Sequence, residues 1–250
     1  MTGEMKSKPR FSTEKSVSIV LPTYNESGNI LTLIDAIKEA VPPDWQYEIL
    51  VVDDNSPDGT YELTRKRAAL DDCVRAILRT TDRGFAKSIR EGIERAEAAQ
   101  IIVMDSDLTH DPAEIPRLLH VGQIYDIVSG SRFCAGGRMV DTTHYVISML
   151  FNWSLRLLLR TQVQDNLGGY FTARREMILQ LPPNEIFYGY GEYYFQLLYF
   201  AQKAGHSIVE IPSAYLLRGT GTSKSNWLKM FWSYSLAAVR LRLSVPRRDR

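Results

Sequence analysis

Four short apolar runs limit what this chain can fold into. Val17–Leu21 (VSIVL), Tyr47–Val52 (YEILVV), Val74–Leu78 (VRAIL) and Ile101–Met104 (IIVM) are too short for helices and rich in β-branched residues, so each reads as a buried strand. Between them lie segments with helical character. Asn29–Val41 repeats its apolar residues at Ile30, Leu33, Ile34 and Ile37 and is stopped by Pro42-Pro43; Thr60–Leu70 and Phe85–Ala99 follow the next two strands. Strand and helix in alternation predict a parallel, doubly wound sheet, because parallel neighbours need a long crossover and a helix supplies it. Such sheets bind ligands beyond the carboxyl ends of their strands. Three polar segments fall there: Pro22-Thr23-Tyr24-Asn25-Glu26, Asp53-Asp54-Asn55-Ser56 and Asp105-Ser106-Asp107. A further strand, Ile124–Ser129, delivers Gly130-Ser131-Arg132 to the same edge.

The pattern changes in the second half. Ile115–His120 reads as a helix, His144–Leu159 as an apolar helix, Asn166–Ala173 as a strand loosened by glycine, Glu192–Ala204 as an aromatic-rich helix and Ser207–Pro212 as a closing strand. Leu217–Asn226 is a glycine- and hydroxyl-rich loop carrying Arg218 and Lys224, followed by the helix Trp227–Leu243 and a basic end, Arg247–Arg250. Residues 1–16 read as a flexible polar tail without the apolar centre of a signal peptide, 17–226 as the α/β domain, and 227–250 as an amphipathic helix with a basic tail. At 250 residues and 44% hydrophobic the chain suffices for one large α/β domain or two small ones. A net charge of +1 speaks against nucleic-acid binding through bulk charge. Two cysteines, Cys73 and Cys134, without metal-type spacing fit a reducing, cytoplasmic setting.

Asp105 and Asp107 carry the chemistry. Residues two apart at a strand end point to one side, so both carboxylates reach one spot. Two close carboxylates repel, and one takes up a proton unless a cation sits between them. Mg²⁺ or Mn²⁺, hard ions bound through one or two carboxylates plus substrate phosphates, resolves that conflict. A solvated, helix-capping acidic turn has the same letters, so the pair alone leaves both readings open.

Taken together, VSIVLPTYNESGNI, ILVVDDNSPDGT, MDSDLTHDP, VSGSRF and Arg218 with Ser223-Lys224 resemble the inverting family-2 glycosyltransferases of the GT-A fold, and among them the dolichyl (polyprenyl) phosphate mannose synthases. The similarity runs from about Val17 to Lys224. The resemblance implies a mostly parallel α/β sheet with C-terminal amphipathic interface helices. It implies donor contacts from Pro22, Tyr24, Glu26, Val51, Asp53, Asp54, Asp105, Ser106, Asp107 and Arg132, with Val51 and Asp53 at the base and ribose. It places Mg²⁺ or Mn²⁺ on Asp105 and Asp107 with Thr109 at the third ligand position, where glutamine is usual. Arg218 and Lys224 match residues that meet phosphate groups, and with Asp105, Asp107 and Arg132 they make up the implied catalytic set. Two other departures are Arg83-Gly84-Phe85-Ala86, where a glycine-rich loop is usual, and Thr143-His144-Tyr145, where an arginine-bearing segment is usual.

The acceptor follows from what is missing. A hydroxyl acceptor must lose a proton to a nearby carboxylate, whereas a lipid monophosphate, with a second pKa near ~6, is already nucleophilic at neutral pH. Family members that act on hydroxyls show a Glu-Asp pair where this chain has Glu192-Tyr193. The expectation is therefore hexose transfer, mannose from GDP-mannose, to dolichyl or polyprenyl phosphate. The rival readings are a UDP-sugar enzyme moving glucose or N-acetylglucosamine to a polyprenyl phosphate or a hydroxyl, and a catalytically silent nucleotide-sugar-binding subunit. Asp165 is either an acceptor-positioning group or a turn residue, and His110 sits close enough to the acidic turn to support it. Trp227–Leu243 and His144–Leu159 mix Trp, Phe and Tyr with Lys and Arg and are too short and interrupted to span a bilayer. Helices of that kind lie in a headgroup plane, pack on the domain or in a homodimer interface, or attach through a transmembrane partner. A peripheral place on the cytosolic face of a membrane is the expectation.

Overall fold

The computed structural model describes residue 11 and residues 15–140, 142–219 and 227–244; Lys224 and the basic end lie outside them. In chain order the elements are β1 (Ser16–Thr23), α1 (Ile30–Ala40), β2 (Gln46–Asp53), α2 (Thr60–Ala68), β3 (Val74–Leu78), α3 (Phe85–Arg95), β4 (Gln100–Val103), α4 (Ile115–Gly122) and β5 (Ile127–Ser131). The second half adds β6 (Arg138–Met139), α5 (Thr142–Leu159), β7 (Phe171–Arg174), α6 (Arg175–Gln180), α7 (Pro183–Ile186), α8 (Glu192–Ala204), β8 (Ile208–Pro212), β9 (Ala214–Tyr215) and α9 (Trp227–Ser244).

Seven strands form the main sheet in the order β3-β2-β1-β4-β7-β5-β8. All run parallel except β7, which pairs antiparallel with both β4 and β5. Both faces are covered, and the strands are accordingly apolar on both sides. Val20, Leu50, Val52 and Val103 face one cluster with α3 and α8, while Ile19, Leu21, Ile49 and Ile102 face the other with α1 and α4. Two short strands, β6 and β9, pair outside the main sheet.

Several elements differ from the sequence reading; α3, expected to Ala99, ends at Arg95. The strand expected over Asn166–Ala173 is confined to Phe171–Arg174. Gly169 adopts a left-handed φ of +73°, and a Cβ on Gly168 would lie 3.0 Å from the Gly130 carbonyl, so the chain turns tightly against β5 before it becomes extended. The strand expected from Ile124 begins instead at Ile127, because Tyr125 still donates its N–H to Val121 O at the end of α4. At the other end the extended chain reaches further: Ser16, expected in the tail, is buried and paired with Gln46.

Helices α5 and α9 pack on one another and on α8 through Leu155, Leu159, Phe195, Tyr199, Ala238 and Leu241. Their outer faces remain exposed. No helix among the described residues is long and apolar enough to cross a membrane.

Candidate active site

The carboxyl ends of β1, β2, β4 and β5 converge on a cleft of about 900 Å³. Its floor is the turn after β4. Asp105 donates its backbone N–H to His110 Nδ1 (3.0 Å), and Ser106 donates its hydroxyl to Pro22 O (2.7 Å), pinning the turn to the end of β1. Leu108 is held at φ +68°, a conformation that costs a leucine on the order of 1–2 kcal/mol. The turn persists because Asp107 fastens it: Oδ1 accepts both the N–H (3.1 Å) and the hydroxyl (2.5 Å) of Thr109. His110 is buried and stacked on Tyr170 with ring centroids 4.8 Å apart. Burial pulls its pKa down to about 4, so it is neutral and accepts from Asp105 rather than competing as a cation.

The two carboxylates have opposite electrostatics. Burial first, then the charge of Asp107, pushes Asp105 up to about 8, although a third of its side chain opens to the cleft. Burial works against the charge of Asp107 as well, but the Thr109 hydroxyl and the Arg218 guanidinium outweigh it and hold its carboxyl below the usual range. Arg218 donates from Nε (2.9 Å) and Nη2 (2.7 Å) to Asp107 Oδ2 and lies 3.5 Å from Glu26 Oε1. Glu26 is itself buried and accepts from Asn29 Nδ2 at 2.7 Å. Pro22, Tyr24, Glu26, Asp54, Asp105, Ser106, Asp107, Arg132 and Arg218, all named from the sequence, line the cleft.

Val51 and Asp53 stand behind the lining, while Thr109 and Arg132 belong to it. Val51 belongs to the core on the α1 side of the sheet. Asp53 is fully buried, and its carboxylate accepts from Thr23 Oγ1, Ser56 N and Ser56 Oγ (3.1, 2.8 and 2.6 Å), tying the β1 and β2 loops together. Thr109 is buried with both its donors on Asp107, so it fixes the orientation of that carboxylate. Arg132 spends Nε and Nη2 on Asp165 (both 2.8 Å), whose Oδ2 also accepts the Arg132 N–H at 3.0 Å. Asp165 is the buried counter-ion of Arg132, and its Oδ1 also accepts the Leu167 N–H at 3.3 Å, the bond of a turn residue.

Sequence reading passed over three contributors. Arg79 is buried at the end of β3, bonded to Asp54 and, through Nε, to Glu91 (2.7 Å), while Asp54 Oδ2 accepts the Gly84 N–H at 2.7 Å. An arginine at a strand's carboxyl end is a signal the chain does carry. Arg83 lies with its guanidinium carbon 5.2 Å from the centre of the Tyr24 ring at the mouth of the cleft. Tyr234 of α9 accepts the Gly191 N–H at 3.0 Å and lines the cleft, and nothing local in the sequence announces it.

A doubly wound sheet with an acidic D-x-D turn at the end of its central strand, flanked by loops from β1, β2 and β5, defines a glycosyltransferase of the GT-A class. The chain belongs to glycosyl transferase family 2, whose profile matches residues 18–181. It is 34% identical over 215 residues to the undecaprenyl-phosphate mannosyltransferase of Micrococcus luteus, covering 83% of this chain and 86% of that protein. It is also 34% identical over 215 residues to the polyprenol monophosphomannose synthase of Mycolicibacterium smegmatis, covering 82% and 79%. Among solved structures, glucosyl-3-phosphoglycerate synthase of Mycobacterium tuberculosis, crystallised with Mn²⁺, uridine diphosphate and glucosyl-3-phosphoglycerate, shares the fold. Its TM-score is 0.67 at 20% identity, covering 94% of this chain and 82% of that one.

Proposed function

We propose that this enzyme transfers a hexose, mannose from GDP-mannose, to a dolichyl or polyprenyl monophosphate. Relatives that share a third of its residues over most of their length are named for mannose transfer to, or synthesis of, such lipid phosphates. The observation that carries the reading in this molecule is the state of Glu192. Its carboxylate accepts the Tyr190 N–H (2.6 Å) and the Ser233 hydroxyl, is buried, and does not line the cleft. It is a joint between α8 and α9 and has no path to an acceptor proton. The wall beyond it is built from Met139, Val140, Leu167, Tyr190, Met230 and Tyr234. A wall of that kind suits a prenyl chain whose phosphate attacks without a base.

The donor set fits a divalent ion. Asp105 and Asp107 offer hard oxygens, and the proton that Asp105 is forced to keep is what a cation would replace. When bound, Mg²⁺ or Mn²⁺ supplies Lewis-acid stabilisation of the departing diphosphate. The protein's own groups do the rest. The Ser106–Pro22 bond holds the turn beneath the donor, and Arg132, fixed by Asp165, keeps its position at the cleft wall. Arg218, with Lys224, meets the phosphates. The acceptor phosphate oxygen forms a bond to the anomeric carbon from the face opposite the leaving diphosphate, whose C–O bond breaks, and the configuration inverts.

We place the enzyme on a membrane surface through the outer faces of α5 and α9. Ile147, Leu150, Trp153, Leu157, Trp232 and Leu243 are exposed there, neither helix contains an acidic residue, and Arg156, Arg240 and Arg242 supply positive charge. The test is an assay with radiolabelled GDP-mannose, UDP-glucose and UDP-N-acetylglucosamine, polyprenyl phosphate and Mn²⁺. Label from GDP-mannose should enter the organic phase. Transfer to a non-lipid hydroxyl alone overturns the lipid acceptor, label entering the organic phase only from a UDP sugar overturns the donor, and binding without turnover overturns the enzyme.

A further inference from the structure

In the described state every lone-pair direction of Asp107 is in use. Oδ1 holds two donors from Thr109 and Oδ2 holds two from Arg218. The Thr109 bonds close a turn between residues two apart and are local. The Arg218 bonds come from a segment 111 residues further along the chain. That segment is stitched to the same turn on both sides of Arg218: Leu216 donates its N–H to Thr109 O (2.9 Å) and Gly219 donates its N–H to Asp107 O (3.0 Å). The seat of Gly219 is close, since a Cβ there would lie 2.7 Å from Leu108 Cδ1 and 2.9 Å from Asn29 Oδ1.

We propose that residues 216–219 form a strap closed over the metal-free site by Arg218, which stands in for the divalent ion on Asp107 Oδ2 and yields that oxygen when the ion arrives with its nucleotide. The proposal rests on the reading of Asp105 and Asp107 as the metal site. Arg218 occupies both lone-pair directions of Asp107 Oδ2, so a divalent ion taking that oxygen must displace at least one of its N–H groups, and the two cations repel. Displacement turns Arg218 from a counter-ion of the protein into a donor for phosphate. Glu26 Oε1, 3.5 Å from Nη2, is a second carboxylate within reach of the released side chain. The strap therefore couples filling of the donor site to presentation of a phosphate-binding cation, and an enzyme without donor does not present it.

The test is Mn²⁺ binding, followed by the electron paramagnetic resonance of the free ion, to the full chain without nucleotide. Arg218→Met should bind Mn²⁺ about tenfold more tightly than the wild type, the scale of a lost charge-assisted contact. With GDP added, the order should reverse. Asp107→Asn is the control for the site itself and should lose the tight binding in either background. If Arg218→Met matches the wild type while Asp107→Asn loses the ion, the strap is wrong and the metal site stands. If Asp107→Asn binds Mn²⁺ as the wild type does, the metal site falls too. Arg218→Gln, which keeps a polar side chain without the charge, serves should the methionine variant fail to fold; it should also bind more tightly than the wild type, and equal affinity overturns the strap.

Discussion

The floor of the cleft and the α5–α9 pair solve opposite problems. At the floor, charge is drawn inside and nearly all of it is answered: Arg79 by Asp54 and Glu91, Arg132 by Asp165, Asp107 by Thr109 and Arg218. Asp105 is the exception, keeping a proton that burial and Asp107 force on it. In the helix pair the situation is reversed. Its inner face is an ordinary apolar contact, while Trp153 and Trp232 stand 64% and 72% exposed outside. One region pairs its charges and leaves a single carboxyl, Asp105, holding a proton instead of a counter-charge, while the other leaves apolar surface uncovered.

The comparison breaks most easily at the buried pair. Asp165→Ala leaves the Arg132 guanidinium uncompensated and should cost about 3–5 kcal/mol of stability, read from urea unfolding. A loss below about 1 kcal/mol would mean the floor is less closed than its geometry indicates. Next in size is Asp107→Asn, expected to lower turnover by about 10²–10³-fold, roughly 3–4 kcal/mol of transition-state stabilisation, with the fold intact by circular dichroism. Unchanged turnover removes Asp107 from the chemistry.

Asp105→Asn sharpens the contrast. The folded protein holds the Asp105 proton up to about pH 8, whereas an unfolded aspartate releases it near pH ~4. Between those values the folded state binds the extra proton, so wild-type stability falls as pH rises. The asparagine variant escapes that loss. Its melting temperature should exceed the wild type's by a margin that grows from pH 4 to pH 8, and Mn²⁺ with nucleotide should raise only the wild type. A margin that shrinks with pH would show that Asp105 is not under the stress described. The smallest effect on the fold is at the helix pair. Trp153→Ser and Trp232→Ser should change stability by no more than about 0.5 kcal/mol, yet reduce flotation with anionic vesicles. Unaltered flotation removes this face from the membrane.

Chain-local logic made the floor legible from the letters alone. The strand end and the apolar run before it depend on nothing distant, whereas Asp105 and Asp107 lie in the turn after β4, held by Pro22, Thr109 and His110 and not by strand alternation. Helix α1 is legible in the same local way, its limits following apolar spacing and the stop at Pro42-Pro43. Partners across the fold were not legible. That Arg132 belongs to Asp165, 33 residues on, that Arg218 rests on Asp107, and that Glu192 is spent on Ser233 are matters of which loops the sheet brings together. Asp53 shows the limit well: its position at a strand end was read correctly, while its inward use, tying Thr23 to Ser56, was not.

The sequence by itself determined the alternation of strands and helices, the sheet edge where ligands go and the acidic pair placed there, because each depends on neighbours within a few residues. Tertiary structure alone decided which carboxylate keeps a proton, which arginine answers which acid, and which side of α5 and α9 is left bare. Those outcomes depend on burial and on distances between segments far apart in the chain, and both exist only once the sheet has closed.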